Sequence, residues 1–286
     1  MFDRIAYTWS LMKASWQVLM RDKAMIIFPL CSGFCCLLVL ASFIVPLGVT
    51  GAWHSAGSVN LLPMPQRIAY YVMVFLFYFC NYFVITFFNV AITACAISIM
   101  TGGSPSIGGG FREAASRIHL ILGWALVSAT VGLVLKIIAE RSGKLGRIIT
   151  SLMGAAWSVV TFLVVPILVV ENKGPIAAVT ESAALLSRTW GKQLVGTAGF
   201  GLIFSLLMIP GIAFIVFGFM SGSVQITLLM IFIGVVYFII LSLVNSALHS
   251  IFQAAVYLYT QDALLPNAPV GQGFPIQLVS GAMASR

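Results

Sequence analysis

The sequence predicts an all-α fold: a polytopic helical membrane protein with about six transmembrane helices in three hairpins, each preceded by an amphipathic interfacial helix. Three observations carry this. Sixty per cent of the 286 residues are hydrophobic and only 8% are charged, about a third of the usual charged fraction. Charge-free runs extend over 24–66, 68–111, 118–135, 148–170 and 193–261, and roughly 20 apolar residues cross a bilayer. These runs lack the alternation of barrel strands, and backbone polar groups in lipid must be satisfied internally, so the runs are helices.

The first expected interfacial helix carries Phe2, Ile5, Trp9, Met12, Trp16 and Leu19 on one stripe, with Asp3, Arg4, Ser10, Lys13 and Gln17 opposite. No short apolar core with a cleavage site precedes the first span, so that span is expected to act as the targeting signal and stay in place. It runs from about Ala24 to Val49, with a bend expected at Pro29 or Pro46. Gly51, Gly57, Pro63 and Pro65 punctuate the loop that follows. The second span, from Ile68 to about Met100, is longer than the hydrocarbon is thick and must tilt or project. It ends at Thr101-Gly102-Gly103-Ser104-Pro105, and Gly108–Gly110 then read as a hinge, because no Gly-Lys-Ser/Thr follows to make a phosphate-binding loop.

A second interfacial helix places Ile107, Phe111, Ala114 and Ile118 on one side and Arg112, Glu113 and Arg117 on the other. The third span is expected over Ile118 to about Ile138. A charged turn with Lys136, Glu140, Arg141, Lys144 and Arg147 leads to the fourth, Ile148 to Val170, with Pro166 near its end. Between Gly174 and Lys192 lies the third interfacial helix. Pro175 suits its first turn, Ile176, Val179, Ala183, Leu186 and Trp190 share a face, and Thr180, Glu181, Ser187, Arg188 and Lys192 take the other. Trp9, Trp16, Arg112, Arg117, Arg188, Trp190 and Lys192 are the candidate interfacial residues, a mixture of aromatic anchors and cations suited to a membrane surface. The fifth span is Gln193 to about Met220, interrupted at Pro210-Gly211, and the sixth is Val224 to about Thr260.

Interfacial helix, span, turn and span thus recur three times, dividing a single membrane domain, 1–262, into repeats 1–104, 105–173 and 174–262. Residues 263–286 form a tail with three prolines and are expected to be flexible. Aligning Asn89, Trp157 and Asn245 also aligns Thr93, Thr161 and His249. Transporters carry such internal symmetry, and gene multiplication in a scaffold leaves the same trace.

The net charge of +8 comes from 15 basic and 7 acidic residues. No basic block or aromatic-interleaved strand motif accompanies it, so membrane lipid is the expected anionic partner and nucleic acid is not. With a cytoplasmic N-terminus, ten basic residues lie inside and five outside (Arg67, Lys136, Arg141, Lys144 and Arg147), as the positive-inside rule requires. That orientation places the chain as a multi-pass protein of a cell membrane. The four cations between spans three and four oppose the rule locally.

Catalysis is not expected. No Asp, Glu, Lys or Arg occupies the middle of a span, which argues against a proton-coupled pump or an intramembrane aspartyl hydrolase. Cys31, Cys35, Cys36, Cys80 and Cys95 all fall within spans without a His or carboxylate beside them, so no metal and no cofactor is expected. A milder polar set remains: Thr86, Asn89 and Thr93 on span two, and Ser242, Asn245, Ser246, His249 and Gln253 on span six. These either hydrogen-bond between helices or form a polar seam for a headgroup or small solute. Gly196, Gly199, Gly201, Gly218 and Gly222 are read as close helix contacts.

Phe88-Asn89-Val90-Ala91, Val164-Val165-Pro166, and Gly174-Pro175 followed by Ser182, Leu186 and Trp190 carry a resemblance. Ser246-Ala247-Leu248, Ile251-Phe252 and Tyr257-Leu258-Tyr259 extend it. The chain resembles uncharacterised prokaryotic six-span membrane proteins near the YciC-like and glycerophosphodiesterase membrane-domain group. The resemblance implies the fold and a prokaryotic membrane, and no activity, since no phosphodiesterase domain is attached. The expected role is a non-enzymatic membrane scaffold or accessory protein acting on lipid, a protein partner or a second copy. The alternative is a transporter or channel for a neutral or lipid-like solute, using the seam.

Overall fold

The computed structural model describes residues 13, 15–49, 63–141 and 143–264, without the side chains of 47–49, 144, 145, 188–200, 202, 259 and 261–264. Trp9 and the rest of the first expected stripe before Lys13, the loop after span one, and the tail beyond 264 lie outside the described residues. Within them the chain is helical and contains no strand. Helix α1 covers residues 15–21, and a 3-10 turn follows at Lys23–Ile26, capped by the Asp22 carboxylate accepting from the Ala24 amide at 3.0 Å. Then come α2 (Ile27–Val49), α3 (Met64–Met100), α4 (Ile107–Ser116), α5 (Ile118–Arg141) and α6 (Gly143–Val160). Helices α7 (Val164–Val170), α8 (Pro175–Met220) and α9 (Val224–Leu264) complete the order.

Among the described residues six stretches are long and apolar enough to cross a membrane: Lys23–Pro46, Met64–Met100, Ile118–Arg141, Gly146–Val170, Ile203–Met220 and Val224–Leu258. Their outward faces are apolar: Phe34, Leu37, Phe217, Met220, Leu228 and Phe232 are all more than 60% exposed. In water such surface would be costly; against lipid tails it costs nothing.

The chain folds as two compact units interleaved in sequence. Of the described residues, the first takes those up to Pro29, Cys95–Ile107 and those from Leu185 onward. Here α8 and α9 run antiparallel at close range. A Cβ on Gly218 would stand 2.8 Å from Met230 Cβ, one on Gly234 would stand 2.8 Å from Ile215 Cγ1, and one on Gly211 would meet Phe238 Cζ at 2.7 Å. The turn between the helices is fixed by Gly222, at φ +66°, and by Thr227 Oγ1 donating to the Gly218 carbonyl at 2.7 Å. The C-terminus of α3 also belongs to this unit. Gly102, at φ +87°, lets the Gly103 amide reach back to the Ser98 carbonyl at 2.8 Å, a Schellman closure.

The second unit takes Leu30–Ala94 and Gly108–Ala184. Phe43 of α2 meets Phe77 of α3 edge-on at 5.5 Å, and Phe111 of α4 sits 5.9 Å from Phe88. Trp124 of α5 stacks on Trp157 of α6 at 6.0 Å and 11°. Pro175 at the start of α8 lies so near Gly123 that a Cβ there would be 3.1 Å from its ring.

Four elements differ from the sequence expectation. The third interfacial helix does not end before span five: α8 continues unbroken from Pro175 to Met220, because Gly191 alone is too weak a breaker. The interruption expected at Pro210-Gly211 is absent as well. Pro210 removes one ladder bond, which a lipid-embedded helix tolerates, and Gly211 instead admits Tyr237 and Phe238. Span four, expected to be continuous, is broken at residues 161–163. The charged turn is shorter than expected, since α5 reaches Arg141 and α6 begins at Gly143. Lys136 and Glu140 are therefore helical, and pair at 2.9 Å.

Candidate functional site

In the first unit, α1, α8 and α9 enclose a groove of about 540 Å³. Phe204 and Leu207 of α8 form one wall. Ile240, Leu241, Val244 and Leu248 of α9 form the other, at the three- and four-residue spacing of one helix face. Tyr237 lies in the lining, and its hydroxyl donates to the Leu207 carbonyl at 2.6 Å. Lys13 and Trp16 complete the lining, both exposed, while Ser15, Val18 and Leu19 of the same segment are buried. Among the described residues the groove therefore has apolar walls, a phenol already engaged, and one cation. The 3-10 turn after α1 packs on α9, which anchors this segment.

The expected polar set divides between the two units, and each half stands by itself. In the first unit Ser242 and Asn245 are exposed on α9. His249 and Gln253 are half-buried, and Gln253 Nε2 stands 3.4 Å from His249 Nε2. Ser250 donates to the Ser246 carbonyl at 3.1 Å. In the second unit Thr86 and Thr93 are buried and Asn89 is half-buried. The Thr93 hydroxyl, fully enclosed, has no hydrogen-bond partner among the described residues, and neither has Ser128 on α5.

Of the candidate interfacial residues, Trp16 lines the groove. Arg112 is exposed, and Arg117 forms an ion pair with Glu113 one turn earlier. Arg188, Trp190 and Lys192 fall within α8, with side chains outside the described set. The buried face of this part of α8 is Ala178, Ser182, Leu185 and Leu186; Ile176, expected at the head of the apolar stripe, is 73% exposed. Ser182 lies inside, where its hydroxyl accepts from the Leu163 amide at 3.1 Å.

Sequence reasoning missed two further groups. Lys173 binds Glu171 at 2.6 Å and Glu181 at 3.1 Å, tying the connection before α8 to the helix itself. The hydrogen bonds that Lys173 donates to Glu171 first and to Glu181 second raise its pKa. Tyr71 donates to Glu140 at 3.2 Å, and Lys136 lies 5.8 Å over the Tyr70 ring. The i, i+4 spacing of Lys136 and Glu140 was the available signal for the second group. Tyr237 was also missed; a phenol deep in an apolar run needs an acceptor.

Among the described residues no cluster of three His, Cys, Asp or Glu side chains is placed to hold a metal. The six spanning helices define a multi-pass helical membrane protein. The model of DUF6159, a family of unknown function, matches residues 68–265, more than two thirds of the chain, and the chain belongs to that family. Residues 1–67, with Lys13 and Trp16, precede the matched region. No curated protein matches the chain.

Proposed function

We propose that this protein is a non-enzymatic membrane scaffold or accessory protein that works by holding lipid, a protein partner or a second copy of itself. The observation that carries the reading is the groove: its walls are apolar, and the Tyr237 hydroxyl in its lining is engaged by the Leu207 carbonyl. Such a surface holds a hydrophobic group, and among its described residues Lys13 has no acid–base partner with which to transform it. The reading includes a prokaryotic cell membrane, kinship with the YciC-like and glycerophosphodiesterase membrane-domain group, a cytoplasmic N-terminus and interfacial helices on that side, as the charge distribution favours.

Transport of a neutral or lipid-like solute is the second reading. It is favoured by Ser242 and Asn245, polar and exposed within a span, since polar groups in lipid normally face a partner or a pathway.

The test is mass spectrometry of the protein extracted from its own membrane in polymer nanodiscs. A co-isolated protein at fixed stoichiometry, or a lipid enriched over the bulk membrane, is the expected result. Neither being present overturns the accessory reading. Transport is tested by Asn89→Leu with Asn245→Leu, which abolishes flux if the polar residues line a pathway.

A further inference from the structure

The groove in the first unit discriminates among occupants. Along α9 its lining runs from Tyr237 to Leu248, roughly 16 Å at 1.5 Å of rise per residue. Its volume of about 540 Å³ falls among sites that bury a small ligand. A polar solute would lose its hydration against Phe204, Leu207, Leu241 and Val244 without gaining a hydrogen bond. An acyl chain loses nothing there.

The charged part of the lining is equally specific. Among the described residues Lys13 is the one charged residue of the lining, and no carboxylate pairs with it. A lysine lays its stem on apolar surface and keeps its ammonium at the polar boundary, and Trp16 is the residue type that settles at headgroup level. The lining thus presents an apolar slot, an aromatic anchor and a cation together.

We propose that the groove is a binding site for an anionic phospholipid, with one acyl chain along α8 and α9 and its phosphate headgroup paired with Lys13 beside Trp16. This rests on the lipid-holding reading above and names the lipid class. Lys13 supplies the headgroup selectivity, and the walls supply the affinity common to all chains.

The test uses the full chain in phosphatidylcholine vesicles containing a minor fraction of lipid brominated on one acyl chain. The brominated lipid is either phosphatidylglycerol or phosphatidylcholine. Bromine quenches tryptophan only at contact, and the Trp16 signal is the difference between the wild type and Trp16→Phe. Brominated phosphatidylglycerol is expected to quench Trp16 at about fivefold lower mole fraction than brominated phosphatidylcholine, the preference one lysine near a surface confers. Lys13→Gln erases that preference, and Lys13→Arg keeps it. Leu241→Phe with Val244→Phe fills the groove and lowers Trp16 quenching by both lipids. Equal quenching in the wild type, or a preference that survives Lys13→Gln, overturns the headgroup assignment. Unchanged quenching in the filled variant overturns the groove as the site. Each of these outcomes leaves the accessory reading standing, because that reading falls only if nothing co-isolates with the protein.

Discussion

The Leu163 amide donates to the Ser182 hydroxyl across 3.1 Å, and both residues are completely buried. The cause lies three residues on. Pro166 has no N–H for the Phe162 carbonyl, and its ring crowds the preceding turn. The ladder tightens there: Phe162 donates to Val159 and Val164 to Thr161, both at 3.1 Å. The Leu163 amide is released from the helix and would be an unsatisfied donor inside a membrane protein. Ser182, nineteen residues later on α8, accepts it.

Ser182→Ala should therefore destabilise the second unit. A buried hydrogen bond left half-made costs about 1–3 kcal/mol, with membrane measurements toward the lower end. Pro166→Ala restores the missing N–H and lets α6 and α7 join. In the Pro166→Ala background, Ser182→Ala should cost less than it does alone. Unfolding titrations in mixed micelles measure this; strict additivity of the two changes would mean that the break does not depend on Pro166.

Glycines divide by what a methyl would meet. Gly218→Ala brings a Cβ to 2.8 Å from Met230 Cβ and 3.3 Å from Thr227 Cα, atoms near the backbone that yield little. We expect it to separate α8 from α9 and cost about 1–3 kcal/mol. Gly33→Ala on α2 meets nothing within 4 Å and should be neutral or stabilising by up to about 1 kcal/mol through helix propensity. The same micelle titration reads both. Gly201 also meets nothing within 4 Å, which corrects its reading as a contact residue, and Gly222 likewise serves the turn through its positive φ rather than a helix contact.

Spans were legible because run length is a local property: Met64–Met100 and Val224–Leu264 follow from uninterrupted apolar sequence. The break in span four was not, because its cause and its remedy are far apart in sequence. Pro166 was visible, but nothing marked Ser182 as its partner. Periodicity left Ser182 out of the apolar stripe, since it ranks residues by polarity and a captured amide reverses the ranking. The groove was illegible for another reason. Leu207, Leu241 and Val244 look like any lipid-facing residues, and only tertiary structure shows that they face a slot with Lys13 and Trp16.

Glu140 ties α5 to α3: it accepts from Tyr71 at 3.2 Å and binds Lys136 at 2.9 Å. Glu140→Gln leaves the Lys136 ammonium without its carboxylate at the end of a span and should destabilise by about 1 kcal/mol, since the pair is partly solvated. Adding Lys136→Met, which removes the stranded charge and keeps the apolar stem, should recover most of the loss. A double-mutant cycle decides it; a coupling of zero would mean that the two side chains act independently.

The turn before α8 should respond to alkali rather than to acid through its lysine. Lys173 lies between Glu171 and Glu181, and their hydrogen bonds raise its pKa above the ordinary 10.5. A cation whose folded pKa is raised contributes stability fully below its unfolded pKa, and that contribution disappears as pH climbs through the folded pKa. The tether through Lys173 should thus be complete at neutral pH and release above about pH 10.5. It should also weaken with salt, because the pairs are solvent-exposed. Reductive ¹³C-dimethylation keeps the charge, so the Lys173 resonance, identified by its loss in Lys173→Gln, reports the titration directly. It should titrate later than a lysine in an unstructured peptide dimethylated in the same way, and Glu171→Gln should remove the larger part of that delay and Glu181→Gln the smaller. A midpoint equal to the peptide's would mean that the carboxylates do not hold the ammonium in solution.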